Sequence, residues 1–251
     1  VSLSLVRPGW PAPSNIIAFS STRLGGVSKA PYDSLNLALH VGDSTRDVMD
    51  NRKTLIDSEQ IPYPQWLNQT HSTNVVQHGV EAEEADGCYT SDKEKACLVM
   101  TADCLPVLLC DESGSWVAAV HAGWRGLSQG VLQQAVKKYR GSSRLMAWIG
   151  PAISQQRFEV GSDVRESFLR NSPAYKTFFE ERGNKWLCDL PNIAEYILKA
   201  QSVDVYQCGL CTYDLKERFY SHRRETHNNN SLHGAQTGRM VTAIWINNNK
   251  E

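Results

Sequence analysis

Between Cys97 and Leu127 the chain reads C-L-V-M-T-A-D-C-L-P-V-L-L-C-D, then E-S-G-S, then W-V-A-A-V-H-A-G-W-R-G-L. No other stretch restricts the fold as strongly. Apolar runs on either side of a short turn-rich segment predict two adjacent strands joined by a hairpin loop. Beyond them, A-G-W-R-G turns the chain tightly. Leu127, Val131, Leu132, Ala135, Val136 and Tyr139 then recur at helical spacing, which predicts a helix over 127–139. Cys104 stands just before one apolar run and His121 just after the other. A strand, a Gly-rich turn and a helix in succession place such side chains at the mouth of a sheet, where scaffolds commonly hold reactive groups.

The remaining chain alternates short strands and helices without a strict βα repeat. Strands are expected over 16–21, 75–76, 144–149, 203–206 and 240–246. Helices are expected over 45–56, 163–169 and 190–199. Ser44 or Thr45 can cap the first helix, and Pro191 suits the first turn of the last. This mixture predicts an α+β fold, a single domain of mixed β-sheets with packed helices spanning residues 1–251. Asn-rich residues 226–236 read as an inserted, exposed loop in which His227 and His233 are dispensable.

Composition narrows the function classes. With 251 residues and a formal net charge of −1, the chain has no electrostatic footprint for nucleic acid or an anionic membrane. No apolar run approaches the ~20 residues of a membrane span, and the N-terminal stretch lacks the pattern of a signal peptide. Seven scattered cysteines, an odd number, fit reduced thiols and a cytoplasmic location better than a disulfide framework. The C-G-L-C at 208–211 has no second pair and reads as structural.

Taken singly, a cysteine or histidine beside an apolar run is more often a structural residue than a ligand. Cys104, His121 and His71 share a context, each next to a strand-like run and flanked by small or polar residues. One thiolate and two imidazoles form a donor set suited to zinc, with a fourth position open for water or substrate, as in catalytic sites. Arg23, Arg125, Arg223, Arg224 and Arg239 are the candidate phosphate or nucleoside contacts, because a guanidinium fork matches phosphate oxygens. Arg125 ranks first among them because it follows His121 in the Gly turn.

Several blocks closely resemble the YfiH family, whose members are also labelled polyphenol oxidases or laccase-domain proteins and described as purine nucleoside phosphorylases. They are G-G-V-S-x-x-P-Y-D-S-L-N-L, W-L-N-Q-T-H, M-T-A-D-C-L-P-V-L, V-A-A-V-H-A-G-W-R-G-L, G-P-A-I, F-E-V-G, C-T-Y and T-G-R-M. The resemblance covers nearly the whole chain. It implies a zinc site from His71, Cys104 and His121, a fold likened to the cytotoxic necrotizing factor catalytic domain, and a cytoplasmic, monomeric enzyme. It also implies a small-molecule nucleoside and phosphate as partners, with Arg125, Arg23, Asn36 and Arg239 as substrate-binding candidates. Two departures stand out: Ser72 replaces the glycine usual after the first metal histidine, and twelve residues separate Arg224 from Thr237.

Three enzyme readings follow. The first is a zinc-dependent purine nucleoside phosphorylase with adenosine deaminase activity, acting on adenosine, inosine and methylthioadenosine. The H-x-E of nucleobase deaminases is missing, which leaves Asp103 as the candidate proton shuttle. The second is a copper-dependent polyphenol oxidase. None of the seven histidines has another two residues away, whereas a trinuclear copper centre uses paired H-x-H ligands, so zinc is favoured over copper. The third is a metal-free hydrolase with Cys104 as nucleophile and His121 as base, acting on an amide such as a peptidoglycan precursor. A metal-binding interaction protein is the non-enzymatic option, and the open coordination position argues against it.

Overall fold

The apolar runs are continuous because their strands are buried on both faces. The computed structural model describes residues 3–81, 84–229 and 236–247. In chain order the early elements are β1 (Leu5–Val6), β2 (Ile16–Ser21), α1 (Thr45–Glu59), β3 (Pro64–Gln65), β4 (Val75–Gln77) and β5 (Gly87–Thr90). The central stretch forms β6 (Ala96–Thr101), β7 (Leu105–Asp111), β8 (Val117–Ala122), α2 (Trp124–Gln129) and α3 (Val131–Val136). Then follow β9 (Leu145–Ile149), β10 (Glu159–Val160), α4 (Ser162–Leu169), β11 (Phe179–Arg182) and β12 (Lys185–Cys188). The chain continues through α5 (Leu190–Lys199), β13 (Asp204–Gln207), α6 (His222–Asn229) and β14 (Met240–Ile246).

These strands build a five-stranded sheet, β1-β2-β14-β6-β3, a six-stranded sheet, β13-β9-β7-β8-β5-β4, and a small three-stranded sheet, β10-β12-β11. Most neighbours are antiparallel, while β13–β9, β3–β6 and β4–β5 run parallel. The fold is α+β with mixed sheets, as the sequence predicts.

Strand parity assigns each side chain to a layer. Cys97 and Val99 of β6, Leu108 and Cys110 of β7, and Val117 and Ala119 of β8 fill one core cluster between the two large sheets. The alternate residues Leu105, Val107, Leu109, Ala118 and Val120 face a second cluster, completed by the apolar sides of α2 to α5. On the outer side of the five-stranded sheet, Leu98 and Met100 pack with Leu35, Leu37 and Leu55. Fully burying a leucine such as Leu108 contributes about 1.5–3 kcal/mol, so the stacked layers supply a large part of the driving force. His121 continues the parity of Val117 and Ala119 and so lies at the open end of the inter-sheet layer.

The hairpin forms as expected between β7 and β8. Asp111 caps its turn, accepting from the Ser115 and Trp116 N–H groups at 2.7 and 2.9 Å. The structure departs from expectation in other places. The first apolar run is two strands rather than one: β6 and β7 belong to different sheets, and the chain crosses between them at Asp103, whose φ is 87°. The helix expected over 127–139 starts earlier, at Trp124, and breaks at Gly130, whose left-handed φ of 96° separates α2 from α3. Tyr139 lies beyond both and donates to Asp111 instead. Residues 226–229 of the expected loop are the end of α6, an element the polar sequence did not announce, and 230–235 lie outside the described residues. Among the described residues, no helix is long and apolar enough to cross a membrane.

Candidate metal centre

His71, Cys104 and His121 come from three different places in the chain. His71 sits in the loop between β3 and β4, Cys104 at the crossing from β6 to β7, and His121 near the end of β8. Pairing of Pro106 with His121 in the hairpin brings the last two together. Their potential ligand atoms all lie within 4.8 Å of one another. His71 Nε2 is 3.7 Å from Cys104 Sγ, and the two imidazoles meet nearly edge to face with centroids 4.8 Å apart.

Asp86, completely buried, holds this arrangement. One carboxylate oxygen accepts from His121 Nδ1 at 2.7 Å and from the His71 N–H at 3.0 Å. The other accepts from the Thr70 and Ser72 N–H groups and from Ser72 Oγ, at 3.2, 2.6 and 2.8 Å. This bonding leaves His121 Nε2 facing Cys104 and stabilises the left-handed backbone at His71, whose φ of 64° is uncommon for a residue with a side chain. The Ser72 hydroxyl is thus one more donor to Asp86. Sequence reading passed over Asp86 because Asp-Gly is ordinary turn chemistry. Its partners are 14 to 35 residues away in the chain.

The electrostatics follow from these contacts. Burial pushes the Cys104 thiol up, but the His121 charge and the hydrogen bonds from His121 and His71 outweigh it and bring the value down to about 6. Burial by itself would lower His121, yet Cys104 and Asp86 hold it up at about 9. Burial likewise opposes ionisation of Asp86, and its bonds to His121 and Ser72 keep it below the usual carboxylate range. Without a metal, the neutral-pH state is therefore a thiolate–imidazolium pair.

Gly123 lets the triad close. A Cβ at this position would clash with His71 Cδ2 and lie 3.0 Å from His71 Nε2 and 3.1 Å from Cys104 Sγ. Gly123→Ala is expected to displace the His71 ring and lower metal affinity by about 10–100-fold, the range of supporting-shell changes, while the fold persists. Competition against a chromophoric chelator measures this, and wild-type affinity in the variant would remove Gly123 from the account.

The triad lines a cavity of about 440 Å³ that also contains Trp124, Phe158, Ile153 and Leu190. Of the five candidate arginines, Arg125, Arg223 and Arg239 reach this cavity. Arg125 lies over the Trp124 ring at 4.3 Å, and Arg223 lies over Phe158 at 5.1 Å. Arg23 does not reach it: the guanidinium is bound to Asp33 and the Lys216 carbonyl and stacks on Tyr220. Arg224 is buried and donates to the carbonyls of Thr212, Tyr213 and Phe219. Asn36 is also fully buried outside the cavity, where it accepts from the Arg239 N–H at 3.0 Å and thereby places Arg239.

Asp103 lines the cavity, but its carboxylate is bound to Thr212 Oγ1 at 2.6 Å, Ser221 Oγ at 3.0 Å and the Arg223 N–H at 2.7 Å. These bonds tie the 212–223 segment to the site, a scaffolding task rather than the position of a free proton shuttle. Cys211 Sγ accepts from the Ser154 N–H at 3.5 Å and Cys208 Sγ from the Leu210 N–H at 3.5 Å, in keeping with a structural C-G-L-C. His40 and His222, which sequence reading did not assign to the site, stand at the cavity wall.

The family model described as multi-copper polyphenol oxidoreductase laccase matches residues 17–247. A protein named purine nucleoside phosphorylase YfiH from Escherichia coli (strain K12) is 42% identical over 248 residues, covering 96% of this chain and 98% of that one. A purine nucleoside phosphorylase of Haemophilus influenzae is 43% identical over 253 residues, covering 97% and 100%. The crystal structure of a Neisseria meningitidis protein of the DUF152 family superposes with a TM-score of 0.89 at 42% identity, covering 97% of this chain and 99% of that one. That of YlmD from Geobacillus stearothermophilus gives 0.84 at 28% identity, covering 98% and 97%. With a family model matched across nearly its whole length and full-length relatives above 40% identity, the chain belongs to the laccase-domain family of YfiH proteins.

Proposed function

We propose that this protein is a zinc-dependent purine nucleoside phosphorylase. It would convert adenosine, inosine and methylthioadenosine to free base and ribose 1-phosphate, with an accompanying adenosine deaminase activity. The observation that carries the reading is that one cavity joins a His-Cys-His ligand set to three arginines and an aromatic wall. The names of the full-length relatives support the reaction class.

The donors suit zinc. Cys104 already favours the thiolate, His121 is fixed with Nε2 inward, and Asp86 supplies the outer-shell carboxylate typical of zinc-binding histidines. When bound, the ion supplies Lewis acidity at the cavity floor. The protein's own groups supply the rest. Trp124 and Phe158 offer flat apolar surface for a purine, and arginine charge in the cavity neutralises phosphate as it attacks the ribose C1′ and the base departs.

Base release from inosine tests this directly. Inosine and phosphate should yield hypoxanthine and ribose 1-phosphate in equal amounts, with no hypoxanthine when phosphate is omitted. Adenosine should in addition give inosine in a metal-dependent step that needs no phosphate. Phosphate-independent release of hypoxanthine would end the phosphorylase reading.

Two other readings remain distinct. The thiolate–imidazolium pair of Cys104 and His121 favours a cysteine hydrolase acting on an amide, such as a peptidoglycan precursor. Full activity after chelation would select it. For a copper-dependent polyphenol oxidase, the described residues offer one group of three His, Cys or acidic ligands, which suits a single ion better than a multinuclear copper cluster. Oxidation of a phenolic substrate by the copper-loaded protein would select that reading.

A further inference from the structure

The cavity has two chemically different walls. Trp124 and Phe158 pack against the core cluster of the six-stranded sheet and its helices, and Arg125 and Arg223 lie over their rings. The five-stranded sheet and its loops contribute Arg239, Thr101 and His40, and α6 contributes His222 at its first residue. Thr101 pairs with Met240 across β6 and β14, so Arg239, one residue before Met240, comes from the same end of that strand pair.

On this second wall the charged group is the Arg239 guanidinium, which is held firmly, and the Cys104 thiolate and Asp103 are the negative groups that act on it. The Arg239 guanidinium is fixed through Nη1, which donates to the Thr237 and Gly238 carbonyls at 2.9 and 3.1 Å. Its backbone is fixed by Asn36 and by the Leu37 N–H, which donates to the Arg239 carbonyl. Among the described residues, Nε and Nη2 of Arg239 and the rings of His40 and His222 have no hydrogen-bond partner in the protein. Thr101 Oγ1 is likewise without a partner. Asp103 is the carboxylate lining the cavity, and Thr212, Ser221 and Arg223 occupy it. Burial and the Arg239 charge lower both histidines, with Arg52 adding to His40 and Arg223 to His222, partly offset by Asp103. Arg239 therefore carries the positive charge of this wall, and its unbonded Nε and Nη2, together with two rings held toward their neutral form, are the donors available to an anion.

We infer that Arg239, His40 and His222 form the oxyanion subsite of the cavity and that its occupant is free orthophosphate. The aromatic wall with Arg125 then takes the nucleoside. This assignment rests on the phosphorylase reading for its occupant, and on the charges and the two-walled geometry for its place. It reverses the ranking that sequence reading gave to Arg125. Arg125 is at the exposed edge and stacked on Trp124, whereas Arg239 is recessed and anchored.

Calorimetric titration of the zinc-loaded protein with inorganic phosphate tests the subsite without requiring turnover. Arg239→Gln should weaken phosphate binding by about tenfold or more, as expected for loss of a charge-assisted contact. His40→Gln, a rim change that leaves the anchoring bonds intact, should weaken it by about threefold, and Arg125→Ala by less than about twofold. Circular dichroism and zinc content confirm that each variant is folded and loaded. In steady-state phosphorolysis, KM for phosphate should rise in Arg239→Gln while KM for inosine moves far less. Equal phosphate affinity in wild type and both the Arg239 and His40 variants, or a larger loss in Arg125→Ala, would overturn the assignment. Inosine 5′-monophosphate separates the two possible sources of the anion. If it displaces phosphate competitively and loses affinity by the same factor in Arg239→Gln, a nucleotide phosphate is the occupant and the free-phosphate assignment fails. If phosphate binds through Arg239 but inosine is never cleaved, the subsite stands and the phosphorylase reading falls.

Discussion

Cys104→Ala is expected to reduce zinc from about one ion per chain to a small residue, with loss of the proposed phosphorolytic activity. The effect should exceed the 10–100-fold typical of outer-shell changes, because one of three converging ligands disappears. The layered core lies elsewhere, so the thermal transition should change little. Elemental analysis of protein purified without an affinity tag measures the metal, and His71→Ala should behave in the same way. Zinc content equal to the wild type in both variants would refute the site.

Metal binding should also be proton-linked, and the sign follows from the pair's titration. In the metal-free protein, Cys104 loses its proton near 6 and His121 near 9. Between these values the thiolate is ready, but His121 Nε2 carries a proton that the metal must displace. Affinity therefore rises with pH by about tenfold per unit across that window and more steeply below it, where the thiol must also ionise. It levels off above about 9. Proton release in weakly buffered titrations checks this, and an affinity independent of pH from 6 to 9 would show that the pair does not ligate.

Replacing Asp86 with alanine should be the more damaging change to the fold. It strands the His121 Nδ1–H and the backbone N–H groups of Thr70, His71 and Ser72 at a buried position. Leaving buried donors and a charged partner without an acceptor costs about 3–5 kcal/mol, read as a lower midpoint in chemical denaturation. Asp86→Asn keeps the volume and one acceptor, so it separates folding from ligand orientation. It should fold, yet bind zinc about 10–100-fold more weakly, because His121 is no longer held in one tautomer. Wild-type zinc affinity in the asparagine variant would mean that Asp86 only supports the loop.

Local sequence determined the elements whose signals are short-range. The hairpin around Glu112–Ser115 was legible because turn residues separate apolar runs, and Asp111 caps that turn within five residues. Helix α1 was legible from Ser44, which caps it, and α5 from Leu190 and Pro191. The candidate metal ligands were recognisable as residue types beside apolar runs, and the family blocks around them point to the same three side chains. Tertiary structure alone decided the rest. A continuous apolar run looks the same whether it is one strand or two strands in different sheets. Only the left-handed turn at Asp103 shows that β6 and β7 part company there. Arg23 and Arg239 are the same residue type in similar polar segments. Arg23 meets Asp33 outside the cavity, and Arg239, held by Asn36 from some two hundred residues away, faces into it. Asp86 looked like a turn residue until the fold placed His121 against it. A side chain's chemistry is written in its sequence position, but its charge state and task are set by the neighbours that burial brings near, and those neighbours are chosen by how the sheets pack.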